Sequence, residues 1–213
     1  MTSRTRVLVL VAATAVVVAA ALTLLLGRPS SPPGGVTGQG AASVGTSAGD
    51  GFAGAALPAG GPVHDFTLAD QSGRPVSLAS FRGRATVLAF LSSTCGAACT
   101  LIAQQIRGAL DELAHPPPVL LISVDPAGDT PARVDRFLQA VSLAGRVRYL
   151  TGPCRALRAV WRAYGVRPLS SGRGAFERAA SVMLLDRAGH ERVIFGLEQL
   201  TPEGLAHDIR KLS

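Results

Sequence analysis

Hydrophobic and polar positions along this chain fall into three successive regimes. Val7 to Gly27 form a run of 21 residues without a charge, built from Val, Leu, Ala and Thr. At about 1.5 Å rise per residue such a run covers the roughly 30 Å hydrocarbon core of a bilayer. A soluble helix of that length would carry a polar face, and this run has none. Pro29 to Gly61 are dominated by Gly, Ala, Ser and Pro, with Asp50 as the only charge. That composition predicts a flexible spacer, because it buries too little apolar surface to offset the entropy of ordering. From residue 62 onward apolar and charged residues mix as in a globular domain. The expected organisation is an anchor over residues 1–28, a linker over 29–61 and one domain over 62–213.

Within that domain the periodicity changes repeatedly. Phe66-Thr67-Leu68 and Val76-Ser77-Leu78 alternate around Asp70-Gln71-Ser72-Gly73, which predicts a hairpin closed by Phe81-Arg82-Gly83. Ala85 to Leu91 and Val119 to Val124 are continuous apolar runs suited to strands buried on both faces. Between them Leu101, Ile102, Ile106, Leu110 and Leu113 recur at helical spacing until the prolines at 116–118. Asp129-Thr130-Pro131 opens a second helix, with Thr130 as cap, Pro131 at the first position, and Val134, Phe137, Leu138 and Val141 on its apolar face. A short strand over Arg146–Leu150, a helix over Pro153–Tyr164, paired strands over Ser181–Leu185 and Arg192–Phe195, and a last helix over Pro202–Leu212 complete the order. Strands alternating with helices and ending in a hairpin and helix predict a three-layer α/β domain with an N-terminal hairpin extension.

Charge refines the N-terminal assignment. The formal net charge is +7, but Arg4, Arg6 and Arg28 flank the apolar run, and +4 remains without them. The other arginines are scattered among acidic residues, with none of the clustering expected of a nucleic-acid surface. The apolar run exceeds the roughly 7–15 residues of a cleavable leader and ends Leu24-Leu25-Leu26-Gly27-Arg28, without a small-x-small site. A retained single-pass anchor in the cell membrane is therefore expected. Two arginines before the run and one after it favour a cytoplasmic N-terminus and an extracytoplasmic domain, where disulfides can form.

The candidate chemistry lies at Cys95-Gly96-Ala97-Ala98-Cys99, where a buried strand hands over to a helix. Residues four apart share a helical face with Cβ atoms about 5–6 Å apart, so a disulfide at about 3.8 Å requires the turn to distort. The same spacing lets two thiolates converge on Cu(I) or Zn. A helix N-terminus favours the thiolate form, of Cys95 above all. The plain alternative is a pair of buried structural thiols. A thiol pair after a central strand and at a helix start makes the domain thioredoxin-like.

Several segments in order, over about residues 62–200, resemble the Sco/SenC family. They are Phe66-Thr-Leu-Ala-Asp70 with Gly73, Leu78 through Gly83, the CxxxC, Ile122-Ser-Val-Asp-Pro126 with Asp129-Thr-Pro131, Leu150-Thr-Gly152, Tyr164-Gly-Val166, and Met183-Leu-Leu-Asp186 with Gly189. The resemblance implies a thioredoxin fold, membrane tethering and copper delivery to cytochrome c oxidase, with Cys95 and Cys99 as copper ligands. It also implies a downstream His ligand, which this chain lacks. That position falls on Arg178 or Ala180, and Thr100 stands where the family has Pro. The Pro that thioredoxins place opposite their cysteines is also missing, since none lies between Pro168 and Pro202. Two thiolates hold Cu(I) without a third ligand, whereas imidazole would help to hold Cu(II).

The expected partners are thus the membrane, through residues 7–27, and a cytochrome c oxidase subunit or another thiol protein. The alternative function is copper-independent thiol–disulfide exchange. A peroxiredoxin-like peroxidase ranks behind both, because Gly96 occupies the place of that class's Thr. Cys154 is expected to be a small buried apolar residue, and otherwise a resolving thiol or substitute ligand. Among the histidines, His64 is the better substitute ligand. His190 belongs to a turn, and His115 and His207 to solvated or capping positions. Trp161 is expected in the core.

Overall fold

In the computed structural model, which describes residues 51–166 and 181–213, the continuous apolar runs at 85–91 and 119–124 become neighbouring strands of one sheet. The strands are β1 (Ala55–Ala56), β2 (Thr67–Ala69), β3 (Pro75–Ser77), β4 (Thr86–Leu91), β5 (Val119–Ser123), β6 (Arg148–Leu150), β7 (Ser181–Leu185) and β8 (Glu191–Gly196). The helices are α1 (Ala97–Asp111), α2 (Pro131–Ala140), α3 (Cys154–Ala163) and α4 (Pro202–Leu212), with a 3-10 turn at Leu78–Phe81. The main sheet runs β1-β8-β7-β4-β5-β6, and β2 and β3 form a separate hairpin. β4, β5 and β6 are parallel, β7 pairs antiparallel with β4, and β8 pairs antiparallel with β7.

Parallel strands covered on both faces need apolar residues at every position, and all six residues of β4 and all five of β5 are buried. Val87, Ala89 and Leu91 face a core built with α1, α2 and α4. Leu88 and Phe90 face a second core with α3, the β2–β3 hairpin and the 3-10 turn. The predicted order of elements, and the three layers, are those observed. The apolar segment at residues 7–27, and most of the expected linker, lie outside the described residues. Within the described residues no helix is long and apolar enough to cross a membrane.

Two expectations change. Residues 53–57, assigned to the spacer, are tied to the folded domain, with Ala55 and Ala56 in its sheet. β1 pairs with β8, and Leu57 donates to the Arg192 carbonyl. The buried Asp208 carboxylate accepts from the Ala53 and Gly54 amides at 2.8 and 3.0 Å. Small side chains allow this, since a Cβ on Gly54 would lie 2.5 Å from Val193 Cγ1. The second change is at Thr130, which precedes α2 without a side-chain cap. Thr201 does cap its helix, accepting from Gly204 at 3.1 Å.

Candidate functional site

At the C-terminal end of β4 the chain leaves the sheet through Ser92, Ser93 and Thr94 and reaches Cys95. This exit is clamped by a buried carboxylate. Asp129, 4% exposed, accepts from Ser93 Oγ at 2.6 Å, the Ser93 amide at 2.8 Å and Ser92 Oγ at 3.2 Å. Its other oxygen accepts from Ser123 Oγ at 2.5 Å and Tyr149 Oη at 2.7 Å. One side chain thereby joins the ends of the three parallel strands β4, β5 and β6. Burial pushes the Tyr149 hydroxyl well above its usual 10.0, and the Asp129 charge pushes the same way, so Tyr149 stays protonated and donates. An outer layer repeats the arrangement. Thr94 Oγ1 donates to Asp125 at 3.2 Å, and Gly128 approaches Asp125 so closely that a Cβ there would overlap its carboxylate.

Beyond this clamp Cys95 and Cys99 are joined by a disulfide, their Cα atoms 5.9 Å apart. The expected distortion of a helical turn does not arise, because Cys95 lies outside the helix. α1 begins at Ala97, and Gly96 has φ 83° and ψ −141°, which turns Cys95 back toward Cys99. Only Gly adopts such a backbone without strain, and the space beside Gly96 is open. Cys99 is fully buried in the core under α1, whereas Cys95 is half-buried with exposed Gly96 and Ala97 beside it. The two sulfurs are therefore unequal: a partner can approach Cys95 and not Cys99. The first turn of α1 holds no acidic side chain that would oppose a thiolate. Leu101, expected on the buried face of this helix, is 40% exposed one turn beyond Ala97.

The remaining candidates do not converge on the pair. Cys154, expected to be buried, is a free and exposed thiol at the first position of α3. Its place at the rim of a helix start leaves it outside both cores. The His64 ring meets Tyr164 edge-on at 5.6 Å, and Tyr164 belongs to the core on the sheet face opposite Cys99. His190 Nδ1 lies 3.3 Å from Asp186 in the β7–β8 turn, and His207 Nε2 lies 3.0 Å from the Gly51 carbonyl. Trp161 is core, as expected, and its Nε1 donates to the Ser123 carbonyl at 3.0 Å. Arg178 and Ala180 lie outside the described residues. Among the described residues no group of three or more His, Cys, Asp or Glu is placed to hold a metal. Among the described residues the donor set at the site is two sulfurs, which when reduced suits two-coordinate Cu(I).

Sequence reasoning missed the Asp129 hub. Three consecutive hydroxyl residues leaving an apolar strand were a signal that a buried acceptor awaited them, but nothing in the spacing pointed to Asp129 or Tyr149.

The family model described as SCO1/SenC matches residues 58–213. No curated protein matches the chain. Among solved structures, the apo Sco1 protein from Thermus thermophilus is 23% identical, with TM-score 0.60, covering 76% of this chain and 97% of that one. ScoI of Bradyrhizobium japonicum, solved with copper bound, is 27% identical with TM-score 0.55, covering 72% and 100%. BsSco, described as a Sco-family cytochrome c oxidase assembly protein with a disulfide switch, is 19% identical with TM-score 0.57, covering 70% and 92%.

Proposed function

The chain belongs to the SCO1/SenC family, and we propose that Cys95 and Cys99 handle Cu(I) and thiol oxidation state during cytochrome c oxidase maturation. The copper-bound ScoI and the disulfide switch of BsSco support this reading. The observation that carries it is a disulfide joining one approachable and one buried sulfur where a buried strand ends. In the exchange step a partner thiolate attacks Cys95 Sγ, forming a mixed disulfide as the Cys95–Cys99 bond breaks and Cys99 leaves as thiolate. A second partner thiolate then attacks the partner sulfur and releases Cys95. The partner ends as a disulfide, and two electrons have reduced the pair. The reduced Cys95 and Cys99 then bind Cu(I), the cargo, as thiolates, and any proton still on either sulfur is released to solvent.

The apolar segment Val7–Gly27, flanked by Arg4, Arg6 and Arg28, supports a single-pass anchor with the domain on the extracytoplasmic side. Oxidation and copper transfer to a membrane-bound oxidase would then take place near the same surface. A second reading, thiol–disulfide exchange without copper, is favoured by one observation: no third metal ligand accompanies the cysteines among the described residues.

Competitive Cu(I) titration of the reduced full chain separates the two. The copper reading expects one Cu(I) per chain, lost in Cys95→Ser and in Cys99→Ser. Binding no tighter than about micromolar rules it out. The exchange reading expects Cys99→Ser to trap a mixed disulfide through Cys95 with a partner.

A further inference from the structure

A cleft of about 370 Å³ opens at the end of the sheet opposite the cysteines, where β5 and β6 begin. Its volume falls in the range of roughly 300–1,000 Å³ typical of small-ligand sites, but its lining is charged. Four arginines reach it: Arg74 from the β2–β3 turn, Arg84 before β4, and Arg146 and Arg148 at the start of β6. The one carboxylate in the lining is Asp70, which lies at its buried floor. Asp70 Oδ2 stands 3.4 Å from Arg74 Nε and 3.4 Å from Arg148 Nη1, so guanidiniums from two elements converge on one oxygen. Both distances exceed the roughly 2.7–2.9 Å of a strong charge-assisted bond.

Most of the donors are left over. Each guanidinium carries five N–H groups. Arg146 gives Nη1 to Asp111 at 2.7 Å, and that carboxylate is shared with Arg107. Arg84 lies over the Phe81 ring at 5.6 Å and has no carboxylate partner among the described residues. The wall formed by Pro116 to Pro118 offers no N–H of its own.

We propose that this cleft binds a phosphate group, either free or in a lipid headgroup. A planar carboxylate satisfies one guanidinium fork, whereas a tetrahedral phosphate presents oxygens in several directions and suits guanidiniums converging from several elements. Two of the four guanidiniums share Asp70, Arg146 is paired with Asp111 and Arg84 has no carboxylate partner among the described residues, which leaves a net positive charge for a polyanion. The site is independent of the cysteine chemistry, since it stands at the other end of β5.

Calorimetric titration of the full chain in neutral detergent, at fixed salt, tests this with inorganic phosphate and with glycerophosphoglycerol, the headgroup of phosphatidylglycerol without its acyl chains. Saturable one-to-one binding of either is expected. Tighter binding of the first identifies free phosphate as the source, and of the second a lipid headgroup. Arg84→Gln and Arg148→Gln should each weaken binding about tenfold. Arg136→Gln, an exposed arginine outside the cleft, should leave it unchanged. Absence of saturable binding, equal weakening by Arg136→Gln, or equal competition by acetate would overturn the proposal.

Discussion

Asp129 is a carboxylate and not an amide because all five of its bonds come from donors. An Asn there would turn an NH2 group toward hydroxyls already committed to donating, and an Ala would leave buried donors unpaired. Asp129→Ala is expected to cost roughly 3 kcal/mol in urea unfolding, with Asp129→Asn in between. The clamp was illegible because its partners come from three strands separated by up to 57 residues, and only the sheet order brings them together. Gly96 presents the reverse case. Its place in the CxxxC could be read directly, but its φ of 83° could not, so the sequence spoke for a strained helical pair. Since a Cβ would meet nothing there, Gly96→Ala isolates backbone cost, about 1–3 kcal/mol. Denaturation should show that loss more fully in the oxidised chain, whose disulfide holds Gly96 in place, than in the reduced one.

At the scale of elements, strongly patterned segments were legible and sparse ones were not. β4 and β5 announced themselves as unbroken apolar runs, and the Asp70 and Asp186 turns by their Gly and Asp spacing. β1 offered only alanines in a Gly-rich stretch, and its pairing depends on Asp208, more than 150 residues away. Filling the space that admits it should detach it: Gly54→Val overpacks against Val193 and Phe195 and is expected to cost about 1–3 kcal/mol. Amide hydrogen exchange at Leu57 would report the detachment. The two turns also carry the acid dependence of the fold. Burial pushes the Asp70 carboxyl up, but amide bonds from Arg74 and Ser72 and the Arg74 charge outweigh it. Burial likewise raises Asp186, and the bonds and charge of His190 outweigh it. Both are held below their usual 3.8. Stability from them is complete above that value and lost as pH falls through the lower folded values. Asp70→Asn should therefore flatten the fall in thermal midpoint on acidification below about pH 4, and an unchanged acid limb would contradict the assignment.

For the molecule as a whole, the sheet separates two ends with different duties: a sulfur pair after β4, and a cationic cleft where β5 and β6 start. Their separation matters for how the oxidation state is transmitted. The disulfide closes a loop of only four intervening steps, for which chain entropy gives about 2 kcal/mol. In a domain of this size that corresponds to a melting shift of about 4–8 °C. The Asp129 clamp holds the exit from β4 through Ser92 and Ser93, before the first cysteine, so none of its five bonds depends on the sulfurs being joined. Reduction should therefore lower the melting point by that amount while near-native packing persists. The expected signature is an unchanged near-ultraviolet spectrum around Trp161, whose indole is tied to the end of β5. The double variant Cys95→Ser, Cys99→Ser should melt where the reduced chain does, indifferent to reductant. If reduction instead collapsed the near-ultraviolet signal, the disulfide would be holding the strand ends together, and a thiolate pair presented on a rigid frame could not be the form that receives copper.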